Sequence, residues 1–310
     1  TTNNQQPTTN NQQPTTNNQQ PTTNNQQPTT NNQHLIPKRI HYCWLSGKKM
    51  PQEILASIES WKNSMPDYEF VLWDRNKFDI NSVTWVAEAC SVKKWALAAD
   101  YIRLYAVYTE GGIYLDSDVH VLKPFNDLLT YDFFTCFEWE RSTNIFKDVV
   151  NSDLDDIQIV GDIQIEAAIF GGIQGHPFLM DCMNWYKNRH FILNNGEYNC
   201  RVIAPHIYAA VAQKYGFRYI HEEQKLKNNM IIFPQGAKFC SPFHNTYTNR
   251  ISHDIYAVHW HAAAWKYNIV KKTIMKIKQN NVIRKLFGKK PIVTINEIIK
   301  QNNCDKKNGT

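Results

Sequence analysis

Apolar and polar positions along the chain fall into blocks with distinct periods. Arg39-Ile-His-Tyr-Cys-Trp44 reads as a buried strand, and Ser46-Gly-Lys-Lys as the loop after it. Residues 52 to 63 place Ile54, Ile58 and Trp61 at helical spacing. Tyr68-Glu-Phe-Val-Leu-Trp73 reads as a second strand, and residues 84 to 109 as one or two Ala-rich helices. Gly111-Gly112 stops that helix, and Ile113-Tyr-Leu115 forms a third strand. Strand, helix, strand, helix, strand predicts an α/β fold with a mostly parallel, Rossmann-like sheet flanked by helices. From 131 to 265 short elements follow one another: Phe133 to Phe137, Gln164 to Phe170, His176 to His190, Pro205 to Tyr215, Ile231 to Phe233 and Tyr256 to Trp260.

The two ends follow other patterns. Thr-Thr-Asn-Asn-Gln-Gln-Pro runs four times from Thr1 to Pro28, and a fifth copy breaks off at Gln33. Its period of seven carries no apolar a/d positions and repeats Pro, so residues 1–33 are expected to be disordered. Residues 266–310 mix cations with apolar positions such as Val270, Ile274 and Ile277. They read as a basic, amphipathic helical tail. The single domain expected between the ends is 34–265.

Charge follows this division. The 310 residues hold 34 Lys+Arg and 28 Asp+Glu, a net +6. Residues 1–33 carry no charge, residues 34–265 stand at 22 − 26 = −4, and residues 266–310 at 12 − 2 = +10. The cationic excess therefore belongs to the tail. Contact of that tail with an anionic membrane surface is the expected use of the charge, each cation near such a surface contributing on the order of 1 kcal/mol. A solvated helix packed on the body is the competing reading. No nucleic-acid motif accompanies the charge, so nucleic acid is not an expected partner. Seven Cys without a C-x-x-C pair suggest reduced thiols and a cytoplasmic setting rather than a zinc ribbon. Neither a basic-then-apolar leader nor an 18-residue apolar run is present, so membrane contact is expected to be peripheral, on the inner face of the cytoplasmic membrane.

The candidate chemistry lies in Ala98-Ala-Asp-Tyr-Ile-Arg-Leu-Tyr-Ala-Val-Tyr-Thr-Glu-Gly-Gly-Ile-Tyr-Leu-Asp-Ser-Asp118. Asp116 and Asp118 follow the third strand, and positions i and i+2 of an extended chain point the same way. Two carboxylates converge where the strand leaves the sheet, the edge at which open α/β sheets bind ligands. Paired hard oxygens suit Mg²⁺ or Mn²⁺, above all when a diphosphate supplies further ligands. The loop lacks the sixth-position Gly and twelfth-position Glu of an EF-hand. Asp100 and Arg103, three apart on a helix, share a face. They are suited either to a sugar hydroxyl and a phosphate or to an intrahelical ion pair.

Ile36-Pro-Lys-Arg-Ile-His-Tyr-Cys-Trp44, Ala99-Asp-Tyr-Ile-Arg-Leu-Tyr-Ala and Gly111-Gly-Ile-Tyr-Leu-Asp-Ser-Asp118 together resemble the DXD sugar-binding glycosyltransferases of family 32. These include capsule and lipooligosaccharide transferases and are related to the glucosyltransferase domains of clostridial toxins. The resemblance is dense over residues 35 to 125 and patchy to 265. It implies a GT-A fold, a UDP-sugar donor, a divalent cation (Mn²⁺ or Mg²⁺) and retention of configuration. The expected reaction moves a hexose or N-acetylhexosamine to a glycan or lipid-linked glycan acceptor of a capsule, O-antigen or lipooligosaccharide.

Carried over by residue, the resemblance implies that Trp44 stacks on the base. Asp100 and Arg103 hold the donor sugar, with Tyr114 lining the same pocket. Asp116 meets ribose or metal, and Asp118 binds metal. Val258-His-Trp-His-Ala-Ala-Ala-Trp265 resembles the family's C-terminal His-His-Trp-x-x-Ser-Trp. It offers His259, with His261 as competitor, as metal ligand, and Trp265 as a diphosphate contact. Trp260 and His261 stand in swapped order and Ala264 replaces Ser, which removes one phosphate contact. The segment from Asp162 to Gly175-His-Pro177 resembles the acceptor side. Of its carboxylates, Asp162 and Glu166, one would stabilise the oxocarbenium ion or orient the acceptor. Two other classes stay open: a phosphoesterase, which needs a two-metal cluster, and a non-catalytic nucleotide-sugar or glycan-binding module.

Overall fold

The computed structural model describes Thr1 and residues 35–139, 163–200, 202–240 and 254–260. The repeat, the basic tail, Asp162, His261 and Trp265 lie outside the described residues.

The first half follows the expected order. Strand β1 (Arg39–Cys43) leads to helix α1 (Gln52–Ser64), and strand β2 (Glu69–Trp73) to helices α2 (Thr84–Ser91) and α3 (Trp95–Glu110). The 84–109 stretch breaks into two helices at Lys93, whose φ of 59° is left-handed. Helix α3 ends at Gly111, φ 62°, whose N–H still bonds Val107 O at 2.9 Å. Strand β3 (Gly112–Leu115) follows at once, with all four residues buried.

Beyond β3 come β4 (Val119–Val121), β5 (Phe133–Trp139), β6 (Ile163–Ile165), β7 (Ile169–Gly172), α4 (Pro177–Tyr186) and α5 (Ala204–Ala212). The described elements end with β8 (Gln224–Leu226), β9 (Met230–Phe233), β10 (Phe239–Cys240) and β11 (Ala257–His259). The expected Gln164–Phe170 element is two strands, β6 and β7, with Glu166–Ala168 between them.

The large sheet runs β2-β1-β3-β7-β5-β9-β8, with β6 added to β5. The fold is α/β as expected, but the sheet is mixed rather than mostly parallel. Strands β2, β1 and β3 are parallel, as are β5 and β9. Strand β7 is antiparallel to both β3 and β5, and β8 to β9. The reason lies at the end of β3: Asp116 N–H bonds Ala168 O at 2.8 Å, so the chain re-enters at the edge from which it left and must run back.

Both faces of the sheet are covered, which is why its strands read as apolar runs. Tyr114, Phe133 and Phe170 pack with Trp85, Ile102, Phe178 and Tyr208 on the side of α2 to α5. Ile113, Leu115 and Phe134 pack with Trp61 and Phe125 on the other. There α1 grips β4: Trp61 Nε1 donates to Val119 O at 2.7 Å, and Ser60 Oγ accepts from Val121 N–H at 3.0 Å. A second sheet, β10-β11-β4, pairs β11 antiparallel with β4 and sets His259 opposite Val119. This three-residue pairing brings His259 beside Asp118.

Candidate active site

The floor of the site is fixed by backbone. His41 in β1 is wholly buried, accepts from Trp73 Nε1 at 3.0 Å through Nδ1, and directs Nε2 at Gly111 O, 2.8 Å away. With Nδ1 accepting, Nε2 carries the proton, so the ring is neutral, and burial lowers its pKa from 6.5. This clamp ties β1 and β2 to the Gly111-Gly112 corner from which β3 starts.

At the other end of β3, Asp116 is held from three sides. Its N–H bonds Ala168 O, Tyr114 Oη donates to its Oδ1 at 2.8 Å, and Arg103 Nη2 lies 3.4 Å from the same oxygen. Arg103 Nη2 is also 3.0 Å from Asp100 Oδ1, and Nη1 donates to Ala167 O at 2.8 Å. The guanidinium carbon sits 4.9 Å from the Tyr114 ring centroid, a cation–π contact. Asp100 and Arg103 thus form the i,i+3 ion pair that their spacing allows, and Arg103 extends the pair to the DXD.

One guanidinium faces two carboxylates, and the charges settle accordingly. Asp100 is pushed up to about 7, because burial opposes its ionisation more strongly than Arg103 favours it, and Asp116 adds repulsion. Burial also works against charge on Arg103, yet Asp116 and Asp100 hold its pKa well above the usual value.

Asp116, Asp118 and His259 form the one group of three potential ligands among the described residues. Their ligand atoms all lie within 4.8 Å of one another. His259 is 8% exposed, with Nε2 3.6 Å from Asp118 Oδ1 and Nδ1 3.3 Å from Glu166 Oε2. Burial alone would lower its pKa, but Glu166 and Asp118 raise it to about 10. Two carboxylate oxygens and an imidazole nitrogen on a carboxylate-rich wall fit a divalent cation.

Trp44 stands apart from this cluster but on the same sheet edge, since β1 and β3 are parallel neighbours. Its indole N–H donates to Lys48 O at 2.6 Å. With Lys48, Asp74, Arg75, Asn76 and Asp79 it lines an open cleft of about 500 Å³.

Of the residues singled out in the sequence, Asp100, Arg103, Tyr114, Asp116, Asp118, Glu166 and His259 come together. Trp44 lies in a separate cleft, and Asp162, His261 and Trp265 lie outside the described residues. Sequence reasoning missed two things: the contact between Glu166 and His259, and Arg103 as the brace of Asp116. Spacing gives no signal for the first, whose partners stand 93 positions apart.

Residues 51–135 match the family described as glycosyltransferase sugar-binding region containing DXD motif. Over 149 residues the chain is 28% identical to inositol phosphoceramide mannosyltransferase 3 of Schizosaccharomyces pombe, covering 47% of this chain and 35% of that one. Over 137 residues it is 27% identical to Subversion of eukaryotic traffic protein A of Legionella pneumophila, covering 35% and 21%. The chain thus spans about a fifth to a third of the length of these relatives. Among solved structures, it is similar to the galactosyltransferase LgtC in complex with donor and acceptor sugar analogues. There the TM-score is 0.38 at 12% identity, covering 81% of this chain and 99% of that one.

Proposed function

We propose, for a chain that carries the DXD sugar-binding region of glycosyltransferases, that it is a retaining, metal-dependent glycosyltransferase. It moves a hexose or N-acetylhexosamine from a UDP-sugar to a glycan or lipid-linked glycan acceptor. The observation that carries this reading is the convergence of Asp116, Asp118 and His259 within 4.8 Å at the C-terminal edge of β3.

Asp116, Asp118 and His259 would hold Mn²⁺ or Mg²⁺. Such an ion supplies positive charge to a leaving diphosphate. Arg103 and Tyr114 keep the Asp116 carboxylate aimed, and Asp100 forms the inner wall for the sugar. Trp44 offers an aromatic face to the base in the open cleft that it lines with Lys48 and Arg75. Retention and a surface-glycan acceptor rest on the family resemblance. The relatives' names add mannose to the sugars worth testing, and with it GDP-linked donors. A phosphoesterase would need a second cluster of ligands, and the described residues hold one.

The deciding experiment is a thermal-shift screen of UDP- and GDP-sugars with and without Mn²⁺, followed by donor-hydrolysis assays on the hits. A metal-dependent shift with slow hydrolysis of the same donor supports the transferase. Binding without turnover, with every acceptor tried, points to a binding module instead. No metal-dependent shift with any donor sinks the reading.

A further inference from the structure

Glu166 sits in the turn between β6 and β7, 4% exposed, and its two oxygens have different tasks. Oε1 accepts from Ala168 N–H at 2.8 Å. Oε2 faces His259 Nδ1 at 3.3 Å. The carbonyl of Ala168 takes the N–H of Asp116 at 2.8 Å. On the far side of the imidazole, Nε2 faces Asp118 Oδ1 at 3.6 Å. A chain of contacts therefore runs from Asp116 through Ala168 and Glu166 to His259 and back to Asp118. It joins the end of β3 to β11, and its Glu166–His259 contact spans 93 positions of sequence.

An ionised carboxylate only accepts hydrogen bonds. Glu166 Oε2 is matched by the proton on His259 Nδ1, and a cation that takes the place of the proton on Nε2 leaves Nδ1–H intact and uses the Nε2 lone pair. That nitrogen is the one turned toward Asp118.

We infer that Glu166 is a positioning residue of the cation site. It fixes His259 as the Nδ1–H tautomer, makes Nε2 the ligand atom, and locks the ring to the strand end that carries Asp116. The inference rests on the metal-dependent reading above. It also gives Glu166 a task other than orienting an acceptor, because its carboxylate is buried behind the histidine. A carboxylate behind a ligating imidazole orients the ring and raises its basicity, and losing it weakens metal binding about 10–100-fold.

The test is calorimetric titration of the full chain with Mn²⁺ alone, in the absence of donor. Glu166→Gln keeps the shape, but its single oxygen cannot serve both Ala168 N–H and His259 Nδ1–H. We expect it to raise the Mn²⁺ Kd about 10–100-fold. In a His259→Ala background the same change should add no more than about twofold, since the residue acts through that ring. An unchanged Kd in Glu166→Gln, or a full additive loss in the double variant, overturns the inference.

A measurement on the unmodified chain does not depend on variant folding. Electron–nuclear double resonance of bound Mn²⁺, with histidine labelled selectively at Nε2 or Nδ1, should give direct coupling at Nε2. Direct coupling at Nδ1 overturns the inference. If Asp118→Ala abolishes Mn²⁺ binding while Glu166→Gln leaves it intact, this inference fails and the transferase reading stands. If the unmodified chain binds no Mn²⁺ without donor, this inference fails, and the transferase reading is decided by the donor screen above.

Discussion

Arg103 Nη2 lies 3.4 Å from Asp116 Oδ1, so a residue on α3 braces a carboxylate at the end of β3. Its other partners, Asp100 and the Ala167 carbonyl, are as deeply placed, and the Arg103 side chain is 6% exposed. Replacing it with Met removes the one cation between two carboxylates. We expect Arg103→Met to lose about 3–5 kcal/mol of stability, the usual result of stripping one partner from a buried ion pair. Adding Asp100→Asn should recover part of that loss, because the amide removes the more deeply buried of the two acids. Urea unfolding of the two variants checks this; equal midpoints would show that Asp100 and Arg103 are not coupled.

The DXD acids and His259 predict a different pattern. Asp118→Ala should abolish sugar transfer and donor hydrolysis together. Treatment with EDTA should have the same effect on the unmodified chain, and Mn²⁺ should restore activity. Full hydrolysis in Asp118→Ala, measured by nucleotide release, would remove Asp118 from the cation site.

His41 gives the pH dependence. Its pKa is lowered from 6.5 by burial, and its two ring nitrogens are committed to Trp73 and Gly111. Above pH 6.5 the imidazole is neutral in both the folded and the unfolded chain and adds no slope. As the pH falls below 6.5 the unfolded chain takes up a proton that the folded chain refuses. Stability is then lost, by up to about 1.4 kcal/mol per pH unit, until the folded pKa is reached. His120 and His176, also lowered by burial, act in the same direction. Asp100 acts in the opposite direction: with its pKa raised, stability falls as the pH rises from 3.8 toward 7. The readout is therefore a difference. Between pH 7 and 5, His41→Gln should lose less stability than the unmodified chain, and parallel pH profiles would reject the neutral-ring assignment.

How much was legible in the sequence depended on the length of each element. Helices α1 and α3 and the three parallel strands carry enough periodic positions to be read, and Gly111-Gly112 marks the corner between α3 and β3. Strands β4 and β10 have three and two residues, too few for any period, yet β4 is what holds β11 and His259 in place. The direction of β7 was hidden because a strand buried on both faces reads the same in either sense. The DXD acids announced themselves through local spacing. His259 entered through resemblance alone, and its pairing with Glu166 is a tertiary contact that no local pattern encodes. Arg103 was noticed for its spacing from Asp100, but its hold on Asp116 depends on how α3 packs against β3.

Gly112 ties fold and site together most directly. Its φ is 119°, outside what L side chains readily adopt, and an added Cβ would lie 2.7 Å from the backbone oxygen of Arg39 in β1. That oxygen belongs to the neighbouring strand and cannot move without disturbing the β1–β3 pairing that aims Asp116. Two penalties therefore combine in Gly112→Ala: backbone strain of about 1–3 kcal/mol and overpacking of about 1–3 kcal/mol. Gly216 supplies the control, because its φ is 102° but a Cβ there would meet nothing within 4 Å. Gly216→Ala should show the strain alone. Scanning calorimetry should thus place Gly112→Ala well below Gly216→Ala in Tm. Mn²⁺ titration should show weakened binding in the first variant and unchanged binding in the second, since only Gly112 begins the strand that ends at the DXD. Equal Tm losses, or intact Mn²⁺ binding in Gly112→Ala, would mean that β3 can shift without moving its carboxylates.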